Sequence, residues 1–242
     1  LKSNAVQPLT YGHSKVSLNG IARDGSYIVF SVGEDVLGKR PTEVTSAYRL
    51  NLQTMACDTL FERDGFVNDL TLVPGTDKLL VKGSPEAFNR IGCILPADVT
   101  PNYYDFQLFL LDMNTRAVKP LTRDFNPAIS TVKCTEQGDV AWFTAENGDS
   151  VSLYRYDIQR DEITCVSQPM ELVQAFDLSG DGTTLLYYGS SACVAERLYS
   201  MKFPSPKVRK SGSSKATAQL SMLQEADPDL MANVELATCH NI

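Results

Sequence analysis

The sequence predicts an all-β chain made by repetition: about four units, each of four short antiparallel strands. Two recurring phrases and the placing of the breakers predict it. The first phrase is a turn running into an apolar strand. It occurs as Arg23-Asp24-Gly25-Ser26-Tyr27-Ile28-Val29-Phe30, Val73-Pro74-Gly75-Thr76-Asp77-Lys78-Leu79-Leu80-Val81, Glu136-Gln137-Gly138-Asp139-Val140-Ala141-Trp142-Phe143 and Leu178-Ser179-Gly180-Asp181-Gly182-Thr183-Thr184-Leu185-Leu186-Tyr187-Tyr188. The aligned ends Phe30, Val81, Phe143 and Tyr187 lie 51, 62 and 44 positions apart. A unit of about 40–45 residues carrying insertions has the period of a propeller blade. Gly, Asp and Pro interrupt the chain too often for helices, and β-branched and aromatic residues dominate between them.

Each element then follows in order. The Asp181-Gly182 pair reads as a tight hairpin turn, because such a turn needs positive φ and glycine supplies it without a Cβ clash. A second phrase follows each first one: Ala47-Tyr48-Arg49-Leu50-Asn51-Leu52, Gln107-Leu108-Phe109-Leu110-Leu111-Asp112-Met113, Ser152-Leu153-Tyr154-Arg155-Tyr156-Asp157-Ile158 and Arg197-Leu198-Tyr199-Ser200-Met201-Lys202. A polar turn and a short outer strand such as Val118-Lys119-Pro120-Leu121-Thr122 complete the unit. Runs such as Leu79-Leu80-Val81 replace strict alternation, as expected of sheets buried on both faces. The reading is therefore a partial β-propeller, with blades at residues 11–63, 64–124, 125–168 and 169–222 and a connector at 223–242.

Two inserts interrupt the repeat. Residues 31–46 hold Glu34, Asp35, Lys39, Arg40, Pro41 and Glu43 and read as a polar loop. Residues 83–106 hold Phe88, Ile91, Cys93, Ile94, Leu95, Tyr103, Tyr104 and Phe106, too apolar for a solvated loop, so this insert is expected to pack on something. The ends carry a further expectation. The chain opens at Leu1, and Gln7-Pro8-Leu9-Thr10 matches Lys119-Pro120-Leu121-Thr122, so it reads as starting on the outer strand of an interrupted blade. Asn233-Val234-Glu235-Leu236-Ala237-Thr238 resumes a strand pattern near the other end. An excised piece of a longer protein is expected.

Composition narrows the function. At 242 residues the chain can bury a substantial core. A net charge of −7 argues against a nucleic-acid surface, which wants a basic patch. No apolar run reaches membrane-spanning length, so no membrane partner is expected. The cysteines, Cys57, Cys93, Cys134, Cys165, Cys193 and Cys239, form no Cys-x-x-Cys pair, and only His13 and His240 could complete a mixed site. They read as small buried hydrophobes rather than zinc ligands, with disulfides left open.

The search for chemistry returns no catalytic, cofactor-binding or metal-ligating residue. Gly12-His13-Ser14-Lys15-Val16 approaches a nucleophile elbow but lacks the second glycine and precedes a strand, so it reads as a polar loop. Cys239 and His240 are adjacent, and neighbours on a strand point to opposite faces. Glu34-Asp35, and the group Asp139, Glu146 and Asp149, read as solvated turn residues instead of tuned acid pairs. Gly180-Asp181-Gly182 is followed by a strand, not the helix a phosphate loop requires. Trp142, Phe143, Tyr187 and Tyr188 read as packing aromatics, not as a stacking site. Asp69 and Asp177 are the main acids on inner strands, too few for glycan cleavage.

These phrases do resemble a family. Gln7-Pro8-Leu9-Thr10, Ala22-Arg23-Asp24-Gly25-Ser26-Tyr27-Ile28-Val29-Phe30, Leu153-Tyr154-Arg155-Tyr156-Asp157 and Leu178-Ser179-Gly180-Asp181-Gly182 look like propeller blades of the prolyl oligopeptidase family of serine peptidases, of the bacterial dipeptidyl peptidase and acylaminoacyl peptidase type. Asp105-Phe106-Gln107-Leu108-Phe109-Leu110, Asp124-Phe125-Asn126-Pro127, Phe143-Thr144-Ala145-Glu146-Asn147 and Tyr187-Tyr188-Gly189-Ser190-Ser191 add to the likeness. Val234-Glu235-Leu236-Ala237-Thr238-Cys239 is similar to the lead into that family's α/β-hydrolase domain. Ser-x-Asp-Gly turns also occur in the periplasmic propeller of the Tol system.

The resemblance implies a non-catalytic propeller segment that gates peptide access to a catalytic domain beyond this chain, in a parent acting as a serine-type peptidase. Its partners would be that α/β-hydrolase domain and peptide substrates. The Tyr-Glu-Glu context of some dipeptidyl peptidases is absent, so no substrate residue is carried over. Two exposed edges of a four-blade piece also predict pairing of two chains, an edge-to-edge eight-bladed ring being one form of it. The alternative is a stand-alone propeller that binds a protein partner. A periplasmic or extracellular location is expected, with the cytoplasm as the other option.

Overall fold

The computed structural model describes residues 6–166, 168–203 and 219–225, the last of these as backbone only. The chain divides into two compact units. The first comprises Leu1–Leu72, Asp77–Tyr103 and Gln107–Arg123, and the second Val73–Thr76, Tyr104–Phe106 and Asp124–Ile242.

The first unit carries two antiparallel sheets in simple up-and-down order. β1 (Lys15–Ile21), β2 (Tyr27–Asp35), β3 (Glu43–Asn51) and β4 (Cys57–Asp64) form one. β5 (Val67–Leu72), β6 (Lys78–Gly83), β7 (Gln107–Asp112) and β8 (Val118–Pro120) form the other. Their facing side chains make one core: Val29, Ala47 and Leu60 from the first sheet meet Leu70, Leu79, Val81, Phe109 and Leu111 from the second. β1 and β5 run side by side. A Cβ on Gly20 would lie 2.5 Å from that of Leu72, so only glycine allows this approach. Leu79, Leu80 and Val81 are all buried, as the unbroken apolar run predicts.

The second unit repeats the pattern. β9 (Ala128–Cys134), β10 (Val140–Asn147), β11 (Ser150–Asp157) and β12 (Glu162–Cys165) form one set of four. β13 (Leu172–Leu178), β14 (Thr184–Ser191), β15 (Val194–Lys202) and β16 (Gln219–Glu225) form the next. A single parallel pairing, Val151 with Leu172, joins the two sets into one eight-stranded sheet. Val140, Trp142 and Leu153 pack on Val173, Phe176, Leu185, Tyr187 and Met201. Leu-rich and aromatic strands thus meet face to face in each unit, the burial that drives sheet-on-sheet association.

The repeated turn has the glycine the sequence asks for, in a longer loop than expected. Gly25, Gly75, Gly138 and Gly182 take φ of 71, 70, 68 and 68°. In the first, the Gly25 amide donates to the Ala22 carbonyl (2.8 Å) and the Ala22 amide to that of Tyr27 (2.9 Å). The loop is therefore four residues around a hydrogen-bonded turn, with only the glycine left-handed, rather than a two-residue Asp-Gly turn. The aspartates serve the loop differently. Asp24 accepts from the amide (3.0 Å) and hydroxyl (2.6 Å) of Ser26, and Asp181 accepts from the Ser179 hydroxyl (2.6 Å) and the Thr183 amide (3.0 Å).

Three expectations are revised. Residues 31–46 are mostly strand: β2 and β3 pair out to Asp35 and Glu43, because polar side chains on an exposed sheet end still hydrogen-bond through the backbone. Residues 7–10 form no strand and are exposed, having no neighbouring strand to pair with among the described residues. Cys57 and Cys165 are exposed on outer strands, where little covers them, instead of buried. Asn233–Thr238, Cys239 and His240 lie outside the described residues.

Candidate functional site

The apolar insert builds a cleft of about 640 Å³, entirely within the first unit. The first part of the insert packs on the sheets beneath it, whereas Ile94, Leu95, Val99 and Tyr104 are exposed. Phe88 meets Phe61 of β4 and Phe109 of β7 edge-on, with ring centres 5.4 and 5.6 Å apart, and Ile91 joins the same core. Tyr103 lies against Phe66, and its hydroxyl reaches the Gly65 carbonyl at 3.4 Å. The cleft opens between the insert, the end of β4 with the link to β5, and Pro41 and Val44 at the start of β3.

Its backbone is unusual. Phe88, Asn89 and Arg90 take φ of 53, 60 and 66°, one left-handed turn in consecutive non-glycine residues. Arg63 across the cleft has φ of 52°. Arg63, Phe88 and Arg90 are each disfavoured there by about 1–2 kcal/mol, since Cβ crowds the following carbonyl, and Asn89 by less, because its short polar side chain tolerates this region. Surrounding contacts hold the turn in place. The Asp64 carboxylate accepts the amides of Phe66 (2.8 Å) and Phe88 (2.7 Å), tying the insert to the β4–β5 link. The Arg90 guanidinium pairs with Glu86 (2.8 Å) and donates to the Val99 carbonyl (3.1 Å). Arg63 pairs with Glu34, and its amide donates to the Ser46 hydroxyl at 2.9 Å. Gly65 closes the end, where a Cβ would overlap the Pro41 ring.

Engaged this way, both cations are matched, and the carboxylates of Asp64 and Glu62 leave the cleft net acidic. Glu62 is the one cleft charge without a partner among the described residues, and Asn89 presents an exposed amide. The floor is phenyl, from Phe61, Phe66 and Phe88. Such a site can hold a partly apolar molecule without acidic groups; it contains no nucleophile with an adjacent base. A smaller hollow of about 280 Å³ in the second unit is lined by Thr135, Asp139, Trp142, Arg155, Asp157 and Phe203. Its polar groups satisfy one another: the Thr135 hydroxyl donates to Asp139 (2.7 Å), and Asp157 takes Arg155 (3.4 Å) and the Arg160 amide (3.1 Å).

No protein-family profile matches the chain, and no curated protein does. Solved structures do. The chain superposes on TolB from Acinetobacter baumannii with a TM-score of 0.55 at 15% identity, over 91% of this chain and 46% of that one. The β-propeller domain of the Trilobed protease from Pyrococcus furiosus gives 0.59 at 14% identity, over 88% and 56%. An acylaminoacyl peptidase in complex with Z-Gly-Gly-Phe-chloromethyl ketone gives 0.60 at 17%, over 91% and 28%. The fold is a β-propeller. The chain spans about half, or less, of the length of these structures, and each four-stranded set above is a blade.

Within the propeller, the residues singled out in the sequence disperse. His13 and Ser14 are exposed ahead of β1. Glu34 is occupied by Arg63, and Asp35 sits at the exposed end of β2. Asp139 precedes β10 whereas Glu146 and Asp149 lie at its far end, so the three form no cluster. Trp142 and Phe143 face opposite ways. Trp142 packs on Phe203 with ring centres 4.8 Å apart, and Phe143 stacks on Tyr154 at 5.3 Å. Tyr187 is buried and stacks on Tyr199 at 5.3 Å, and burial pushes its hydroxyl up to about 12. Tyr188 is part-exposed on the other face. Asp177 is ion-paired with Lys133 at 2.8 Å, which lowers its pKa, and Asp69 caps the Leu70 amide. Among the described residues, no three His, Cys, Asp or Glu side chains are placed to hold a metal ion, and no helix is long and apolar enough to cross a membrane.

Sequence reading missed the cleft. The apolar insert pointed to packing, and it does pack on a blade, but no glycine marks the left-handed turn at Phe88–Arg90. Asp64 and Asn89 gave no signal.

Proposed function

We propose that this chain is the non-catalytic propeller portion of a serine peptidase resembling the prolyl oligopeptidase family, and that it restricts which peptides reach an α/β-hydrolase domain carried elsewhere in the parent protein. The observation that carries the reading is the superposition on propellers of two proteases at TM-scores of 0.59 and 0.60, over about nine-tenths of this chain. The blade phrases of the sequence support it independently. In physical terms the propeller acts by exclusion. A stack of rigid sheets over a catalytic face admits short extended chains and keeps folded ones out.

A size-selectivity assay on the parent protein tests this. Cleavage of a short chromogenic peptide is compared with cleavage of an unfolded polypeptide of about 100 residues, with and without residues 1–203. Removing the segment should raise kcat/KM for the long substrate relative to the short one by roughly tenfold or more, about 1.4 kcal/mol in barrier terms. An unchanged ratio in a folded, active truncation contradicts gating. A self-standing propeller that binds a protein partner is the second reading, and an unchanged ratio would favour it.

A further inference from the structure

We propose that the cleft between the left-handed turn and the β4–β5 link is a binding site for an extended peptide segment that carries a large apolar side chain and no acidic group. The inference does not depend on a catalytic domain, because every residue it uses lies in the first unit of this chain.

The first observation is strain. Among the described residues, four of the seven non-glycine residues with positive φ, namely Arg63, Phe88, Asn89 and Arg90, border this one cleft. Packing alone would be served by a glycine-bearing turn without that penalty, and strain held by surrounding contacts concentrates where a surface must present particular groups. What this turn presents is specific. It drives the Phe88 ring down onto Phe61 and Phe109 and leaves the Asn89 amide at the rim.

The second observation is charge. Arg63 is matched by Glu34 and Arg90 by Glu86, while the carboxylates of Asp64, held by two backbone amides, and of Glu62 have no cation beside them. A phosphate or a carboxylate would meet no free cation here. A peptide backbone, by contrast, is neutral and carries both a donor and an acceptor at each residue, which is what a primary amide such as Asn89 can pair with on both sides.

The third is size and lining. A volume of about 640 Å³ falls within the range of small-ligand sites and exceeds one aromatic side chain. Three phenyl rings on the floor suit a large apolar side chain. Burying one contributes about 1.5–3 kcal/mol, roughly ten- to a hundredfold in affinity.

The test uses the 242-residue chain and a blocked pentapeptide, acetyl-Gly-Ala-Phe-Ala-Gly-amide, followed by calorimetry and by ligand-observed NMR. The Phe peptide is expected to bind, the analogue with Ser at the centre at least tenfold more weakly, and the analogue with Glu there more weakly still. Asn89→Gly tolerates the left-handed backbone and removes the amide. It should leave the melting temperature unchanged or raised while weakening the Phe peptide about fivefold or more. No binding of the Phe peptide at millimolar concentration, equal binding of the Ser peptide, or unaltered binding by Asn89→Gly overturns the proposal. So does equally tight binding of toluene, which would show an apolar hollow with no use for a backbone. Each of these results leaves the gating reading untouched, since that is read from substrate size in the parent.

Discussion

Gly25 and Gly138 occupy the same turn position in two blades, with φ of 71 and 68°. Their surroundings differ. A Cβ at Gly25 meets nothing within 4 Å, whereas one at Gly138 would lie 2.0 Å from the Pro74 carbonyl oxygen. Gly25→Ala should therefore lower stability by about 1 kcal/mol from the left-handed backbone alone. Gly138→Ala should lower it by about 3 kcal/mol or more, because a backbone oxygen must also move. Urea midpoints of the two variants check this, and equal shifts would show that the turns are not packed as described.

Acid acts at the same scale. Asp181 is held below the usual carboxylate range by the Ser179 hydroxyl and the Thr183 amide, and Asp24 by the Ser26 hydroxyl and amide. Groups with lowered folded-state pKa values add stability above their unfolded pKa, near 4, and lose it as pH falls through the folded value. Thermal melts between pH 6 and pH 2.5 should fall progressively below about pH 4, and less steeply in a double Asp24→Asn, Asp181→Asn variant. Burial pushes the Cys134 thiol up to about 12. At pH 8 exposed Cys165 should react with a thiol reagent while Cys134 stays unreacted until denaturant is added; equal rates would contradict the packing of β9.

At the scale of elements, the order of strands was legible because each blade repeats one turn glycine and one apolar run. Tyr27–Asp35, Lys78–Gly83, Val140–Asn147 and Thr184–Ser191 all begin just after that turn. Illegible features depend on contacts distant in sequence. Arg49 looks like any surface arginine on a strand, yet it spans both sheets of the first unit, reaching Asp58 at 2.9 Å, Asn114 at 3.0 Å and Asp77 at 3.6 Å beside the Tyr27 ring. Asp64 likewise fixes two amides, one of them 24 residues away. Asp64→Ala should lower stability by about 1–3 kcal/mol, since two amides lose their acceptor. The exchange of the Phe66 and Phe88 amides should speed up more than that of core amides in β6. Uniform acceleration across the first unit would mean that Asp64 does not pin the insert.

For the whole molecule, the fold rests on repetition, and the proposed function rests on the likeness to propellers of peptidases. β1 is the edge strand of its blade and exposes Val16, Leu18 and Ile21. Exposed apolar edges favour association, so the chain is expected to scatter light with twice its 26.6 kDa mass, and Leu18→Lys to return it to one. A single mass for both proteins argues against pairing through β1. The central claim, a propeller that serves a catalytic domain, is tested most directly in the native source. Antibodies raised against this chain recover the endogenous protein, which is then treated with a fluorophosphonate probe for activated serines. The account predicts a labelled polypeptide well above 26.6 kDa that contains these blades. An unlabelled polypeptide of about 26.6 kDa as the sole product would contradict it.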